Sequence, residues 1–422
     1  MEIKLKIEPE QGKMYGNCTY NADEIATSYF LLNRDFSIKS LKVNGSEVSP
    51  NIEPIELDDS DGYIVNKISF PASIENLQIE YTGSLSGKTG CNPYVRERIS
   101  PDFTFIRWET FCYPLFSKNT KQQLFEYLLT PGGKSEIVID VPGGYEVVAY
   151  EKLTRVREVS GRKQYVYSGT KFHNHFFNCS CAKYHKLSLP TGSFYLLSSN
   201  NSTDVTTLID ETMAKAHAFL NRHFGERDIA SNTVYAAIPD GFGSFACSGA
   251  SVVYVQESTF RSIHTMNEII HEFIHLGWNV PADRVQQRIR FFDEAFTCYF
   301  EMRVMEYLTN ESLAPLYASL WRDRISSGSF KLVPICEFGQ QGCGEQSYTI
   351  GALCLHELSK LIGTAKFDEI TTVFLNKYKN IPVTLDVFCR EYANLCEEVD
   401  KPAVEKFFED WIYSCKGYAK YV

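Results

Sequence analysis

Apolar and polar residues alternate in short runs through the first two hundred positions, and the spacing then turns helical for most of the remaining chain. Ile3-Lys4-Leu5-Lys6-Ile7-Glu8 sets the first pattern, because a strand points successive side chains to opposite faces and here collects the apolar ones on one of them. The same alternation predicts strands at 38–43, 63–70, 77–81, 135–141, 145–153 and 194–198. Asn44-Gly45-Ser46, Pro142-Gly143-Gly144 and Ser160-Gly161 supply the turns between them. Many short strands punctuated by turns predict an N-terminal β-sandwich-like domain over 1–200.

The pattern changes at Ser198-Ser199-Asn200-Asn201-Ser202-Thr203-Asp204, a polar stretch ending in residues suited to cap a helix. Residues 205–224 then have helical periodicity, two strand-like segments follow at 233–238 and 251–256, and the rest is mainly helical. A second domain is therefore expected over 201–422, which makes the chain an α+β multidomain protein. No internal repeat and no low-complexity segment interrupts this plan.

Composition narrows the function. Hydrophobic residues make up 44% and charged residues 22% of 422, as in ordinary globular proteins, and no apolar run approaches the roughly 18 residues of a membrane span. The first eight residues alternate like a strand and are not the continuous apolar core of a secretory signal. Thirteen cysteines, an odd number scattered singly, fit a reducing compartment, so a cytoplasmic protein is expected. A net charge of -10 disfavours nucleic acid as a partner and leaves peptides or other small substrates.

The chemistry concentrates after residue 265. Thr265-Met266-Asn267-Glu268 has the form of a capping box, with Thr265 at the N-cap and Glu268 reaching back. On the helix it would open lies His271-Glu272-Phe273-Ile274-His275. Histidines four apart share one helix face, so both imidazoles can address one ion while Glu272 stands beside a water on it. Catalytic zinc takes three protein ligands and keeps a fourth position open, and Glu294, 19 residues after His275, opens the next apolar helix as the third. The competing reading makes the histidines carbonyl-bonded core residues. It leaves two imidazoles and two carboxylates inside apolar helices without a compensating ion, at a cost of several kcal/mol.

His-Glu-x-x-His followed after eighteen residues by Glu resembles the gluzincins of the aminopeptidase N family, which includes leukotriene hydrolase. Tyr348-Thr349-Ile350-Gly351-Ala352 resembles the family's Tyr-x-x-Gly-Ala, and Phe407-Phe408-Glu409-Asp410-Trp411-Ile412 resembles the close of its catalytic domain. The resemblance covers about 200–420. It implies a thermolysin-like, mainly helical catalytic domain, one Zn2+ on His271, His275 and Glu294, Glu272 as the base, and Tyr348 as the phenol that donates to the oxyanion. Residues alone leave Tyr348 open, since most of 25 tyrosines serve structure. Larger members continue past the equivalent of Val422, which implies a more open substrate mouth here. His275-Leu276-Gly277-Trp278-Asn279 is also similar to the glycyl aminopeptidases of the same clan.

One departure bears on substrate choice. The family's Gly-x-Met-Glu-Asn loop, whose glutamate binds the substrate's amine, aligns best with Gly243-Ser244-Phe245-Ala246-Cys247, which puts Ala246 where the glutamate belongs. Glu109, in Arg107-Trp108-Glu109, resembles a second amine-binding carboxylate, and Glu257 is a further candidate. A zinc-dependent, aminopeptidase-like enzyme with altered amine recognition is thus expected. An endopeptidase, or a peptidase acting on blocked N-termini, is the alternative. A non-enzymatic binding module retaining zinc would need neither Glu272 nor Tyr348. Two other clusters are not read as metal sites: His173, His175, Cys179 and Cys181 fit no common zinc spacing and read as structural packing, and Cys336 and Cys343, which could pair, flank what reads better as an active-site loop.

Overall fold

The computed structural model describes residues 1–57, 63–71, 74–89, 96–117, 134–149, 153–170, 177–197, 203–227, 229, 232–247, 251–281, 290–340 and 342–422. Two compact units emerge. One comprises Met1–Ser188, Ser193–Asn201 and Val234–Glu257; the other comprises Leu189–Gly192, Ser202–Thr233 and Ser258–Val422. The segment Val234–Glu257 groups with the first unit because its strands Val234–Ile238 and Val252–Gln256 continue, in parallel, the sheet that contains Gly192–Leu196.

In the first unit the alternating residues make strands as expected. Glu2–Glu8 buries Ile3, Leu5 and Ile7 and exposes Lys4 and Lys6, and each buried side chain contributes about 1.5–3 kcal/mol. It sits inside an eight-stranded sheet of order Leu153–Val159, Arg162–Thr170, Lys134–Pro142, Glu2–Glu8, Lys13–Asn21, Asn76–Gly83, Ser37–Val43 and Ser46–Glu47. All pairings are antiparallel except that of Glu2–Glu8 with Lys134–Pro142. Gly16 is required in this sheet: a Cβ there would lie 2.0 Å from the Tyr81 ring, which covers it. A three-stranded sheet (Tyr29–Asn33, Ile64–Ser69, Asn51–Glu56) and a five-stranded one built around Thr104–Ile106 and Cys179–Ala182 complete the strand-rich half. The expected strand at 145–153 is instead two pieces in different sheets, Glu146–Ala149 beside Cys179–Ala182 and Leu153–Val159 at the edge of the large sheet.

The second unit is helical: α1 Thr203–Phe224, α2 Asn267–His275, α3 Phe296–Thr309, α4 Ala314–Ser326, α5 Ile350–Ile362, α6 Thr364–Lys377, α7 Leu385–Leu395 and α8 Lys401–Trp411. α1 buries Ile209, Met213, Ala216, Leu220 and Phe224, a stripe at helical spacing. α3 has no such sidedness, with Phe296, Tyr299, Phe300, Met302, Val304 and Met305 all buried, as befits a central helix. No helix among the described residues is long and apolar enough to cross a membrane. The architecture is therefore α+β, with a strand-rich N-terminal part and a helical C-terminal part.

Candidate metal centre

α2 is short, and its apolar residues Ile269, Ile270, Phe273 and Ile274 anchor it in the core while His271 and His275 share the other flank. Its start differs from the expected capping box. Thr265 belongs to the preceding turn Ile263–Thr265, where it answers Ser262, and the Glu268 carboxylate accepts from the Thr259 hydroxyl at 3.4 Å. Glu294 arrives on one wide π turn, Phe291–Ala295, that leads into α3.

Three atoms converge. His271 Nε2 lies 3.3 Å from His275 Nε2 and 3.3 Å from Glu294 Oε2, and His275 Nε2 lies 3.4 Å from the same oxygen. Donors bound to one tetrahedral zinc at about 2.0–2.1 Å stand about 3.3–3.4 Å apart, so this triangle has the edge length of a zinc site. Hydrogen bonding supports the same reading. His271 Nδ1 faces Glu301 Oε2 at 3.0 Å, a carboxylate that can only accept, so Nδ1 carries a proton and Nε2 is the nitrogen left to address an ion. His275 Nδ1 lies 3.3 Å from Thr297 Oγ1 and 3.2 Å from Asn279 Nδ2, so the ring is held from the side away from Nε2. All three atoms face one spot, where an ion could take the place of the protons that otherwise link them. Among the described residues this is the one group of His, Cys, Asp and Glu with metal-site spacing.

The surroundings tune these groups. Burial alone would raise the Glu294 carboxyl, but His271, His275 and Arg290 outweigh it and hold it well below the usual carboxylate range. Glu301 also accepts from the Tyr317 hydroxyl at 3.0 Å, so both of its oxygens are engaged. Burial pushes the Cys298 thiol up and keeps it protonated beside His271, which removes it as a thiolate ligand. The Tyr348 ring lies parallel to that of His271, 6.2 Å between centres and 6° between planes. Burial and the Glu294 charge push its phenol far above the ordinary range despite Arg290, so it stays a proton donor. Glu272 is buried, and helix geometry sets it about 100° round from His271 and about 60° from His275.

The structure thus brings His271, His275, Glu294 and Tyr348 together. It adds Arg290, Glu301, Thr297 and Asn279, which the sequence reading missed. Their offsets were visible: Arg290 precedes Glu294 by four and Glu301 follows it by seven, both recurrences of one helix face. Glu109, Gly243 and Ala246 belong to the other unit. There Glu109 is buried in a two-toothed pair with Arg107, at 2.6 and 3.2 Å, and the Arg107 guanidinium lies 4.2 Å from the Phe245 ring centre. Gly243 has a left-handed φ of 72°, and Ala246 lies in the short strand Phe245–Cys247 opposite Val253. Glu257 opens a 3-10 turn, Glu257–Arg261, after the strand Val252–Gln256. Cys336 and Cys343 are both free thiols, so they do not pair. Cys179 and Cys181 are buried in one strand with their thiols pushed up, as packing requires, while His173 and His175 lie outside the described residues.

No protein-family model matches the sequence, and no curated protein does. Solved structures do match in fold. Leukotriene A4 hydrolase from Saccharomyces cerevisiae is 13% identical, with a TM-score of 0.62 over 98% of this chain and 67% of its own. An M1 zinc metallopeptidase from Deinococcus radiodurans is 14% identical, with a TM-score of 0.60 over 96% of this chain and 92% of its own. At such identities the likeness is one of architecture: the chain has the fold of the M1 zinc metallopeptidases.

Proposed function

We propose that this protein is a zinc-dependent peptidase, aminopeptidase-like in architecture, that hydrolyses peptide bonds. The observation that carries the reading is the 3.3–3.4 Å triangle of His271 Nε2, His275 Nε2 and Glu294 Oε2. Bound there, one zinc ion would supply Lewis acidity, polarising a carbonyl and lowering the pKa of a water toward neutrality. The protein's own groups do the rest. Glu272, on the flank of the two histidines, takes the proton of the attacking water and passes it to the leaving nitrogen. Tyr348, held protonated, donates to the oxygen that gains charge as the carbonyl carbon becomes tetrahedral. Glu301 accepts the Nδ1 hydrogen bond of His271 and so turns its Nε2 toward the ion, while Thr297 and Asn279 hold the His275 ring from its Nδ1 side. A Deinococcus radiodurans metallopeptidase variant of the same fold is described as bound to a Tyr-Ser-Ala substrate, and a peptide is the substrate class proposed here.

One observation favours peptides that lack a free amine. The Glu109 carboxylate, a candidate amine anchor, already has both oxygens on Arg107, and Ala246 offers no charge. Internal peptide bonds or blocked N-termini would then be cut in preference to single aminoacyl groups.

Glu272→Gln tests the chemistry. The amide cannot accept a proton while the ligands are untouched, so zinc content should stay near one equivalent and hydrolysis of a peptide panel should fall by ~10²–10⁴-fold. Activity within a few-fold of wild type would remove Glu272 as the base, and a zinc-loaded wild type that cuts no peptide would remove the peptidase reading.

A further inference from the structure

Arg290 opens the turn that carries Glu294, and three parts of the site meet at its guanidinium. Its Nη2 donates to Glu294 Oε1, whereas the other oxygen, Oε2, is the one that faces both histidines. Nη1 donates to Glu345 Oε1 at 3.2 Å, and Nε stands 3.6 Å from Asp293 Oδ2. The guanidinium carbon lies 5.2 Å from the centre of the Tyr348 ring. The arginine side chain is 39% exposed and the glutamate 2%, so the cation caps the carboxylate from its outer side.

A carboxylate can hold a metal through one oxygen or two, and a planar guanidinium on one oxygen leaves only the other. The same cation, one carboxylate away from a doubly charged ion, opposes metal binding by charge repulsion. Its place is therefore not explained by holding the metal more tightly. Resting on the zinc reading above, we propose that Arg290 is a positioning residue: it restricts Glu294 to a single metal-binding oxygen, keeping the fourth position open, and it aligns the Tyr348 ring beside that position.

Arg290→Met and Arg290→Lys test this in the full chain, reconstituted with cobalt as well as zinc. With Arg290→Met, Glu294 is free to bind through both oxygens, so the visible cobalt bands should weaken toward those of a five-coordinate ion. Zinc affinity in competition with a chelator should hold or tighten. The kcat should fall roughly 10- to 100-fold with KM moved by less than about three-fold. Arg290→Lys keeps the charge without the planar fork and should fall between the two. A wild-type cobalt spectrum with kcat within about three-fold of normal overturns the proposal. So does a parallel loss of zinc affinity, melting temperature and kcat, which would mark an ordinary structural role. If Arg290→Met does not fold, Arg290→Lys with wild-type spectrum and kcat overturns it equally. Wild-type protein that takes up no cobalt or zinc would overturn the zinc reading and this one with it, whereas metal-loaded wild type beside an indifferent variant overturns only the role of Arg290.

Discussion

Gly351 lies in α5 where that helix touches the turn bearing Glu294, and a single added methyl there should loosen the metal more than the fold. A Cβ at Gly351 would stand 2.6 Å from Ala295 Cβ and 3.2 Å from Phe291 Cδ2. Ordinary contact begins at 3.4 Å, so the backbone of one element must give by 3.4 − 2.6 = 0.8 Å. Overpacking of this kind costs about 1–3 kcal/mol, and alanine returns about 1 kcal/mol over glycine in a helix interior. The net loss of about 0–2 kcal/mol should lower the melting temperature of metal-free Gly351→Ala by at most ~8 °C. Ala295 is bonded to Glu294, however, and ligand distances tolerate only about 0.2 Å. Zinc affinity should therefore drop roughly 10- to 100-fold, a loss of the size seen when a ligand's support is disturbed. Titration against a chromogenic chelator measures the affinity, and thermal unfolding with and without zinc measures the stability. Wild-type affinity in a variant whose melting point has fallen would show that α5 yields and the turn does not, and would refute the reasoning.

Glu301→Gln should keep the fold but lower zinc affinity about ten-fold, because a neutral amide orients His271 without supporting its basicity; equal chelator competition curves would contradict this. Removing zinc should lower the melting temperature measurably, and adding back one equivalent should restore it, whereas a melting curve indifferent to zinc would count against a metal that ties α2 to α3. Ala246→Glu should raise the ratio of aminoacyl-reporter to blocked-peptide cleavage by roughly ten- to a hundred-fold, the value of one charge-assisted hydrogen bond. An unchanged ratio in zinc-loaded protein would mean that the loop at Gly243 is not where the amine is read.

That His271, His275 and Glu294 would converge was legible because a site built to hold an ion needs fixed offsets between residue types rare enough to be noticed. The strands at 3–8, 38–43 and 77–81 were legible for a similar reason, since one face of each is buried and the other wet. Where no single face is buried against a wet one the signal fades: 145–153 read as one strand although Glu146–Ala149 is mostly buried, Leu153–Val159 is exposed throughout, and the two serve different sheets. The Thr265 capping box failed because near neighbours in the preceding turns, Thr259 and Ser262, claimed the groups that the pattern assigned to each other, Ser262 forming a capping box of its own with Thr265. Arg290 and Glu301 were passed over because an arginine or glutamate on a helix is ordinarily a solvated charge. Only the fold reveals that these two meet Glu294, His271 and Tyr348.

The position of Glu2–Glu8 in the large sheet has a consequence for how the chain is made. One of its edges is closed locally by Lys13–Asn21, but the other is closed by Lys134–Pro142, whose Glu136 amide donates to the Met1 carbonyl. At ribosomal speeds of ~5–20 residues per second, roughly 7–26 seconds separate the emergence of these partners. For that interval a strand with a fully apolar face waits with one edge unpaired, the state most open to sticking to another nascent chain. The alternate Lys4 and Lys6 on its outer face are then the charges that keep the waiting hairpin soluble.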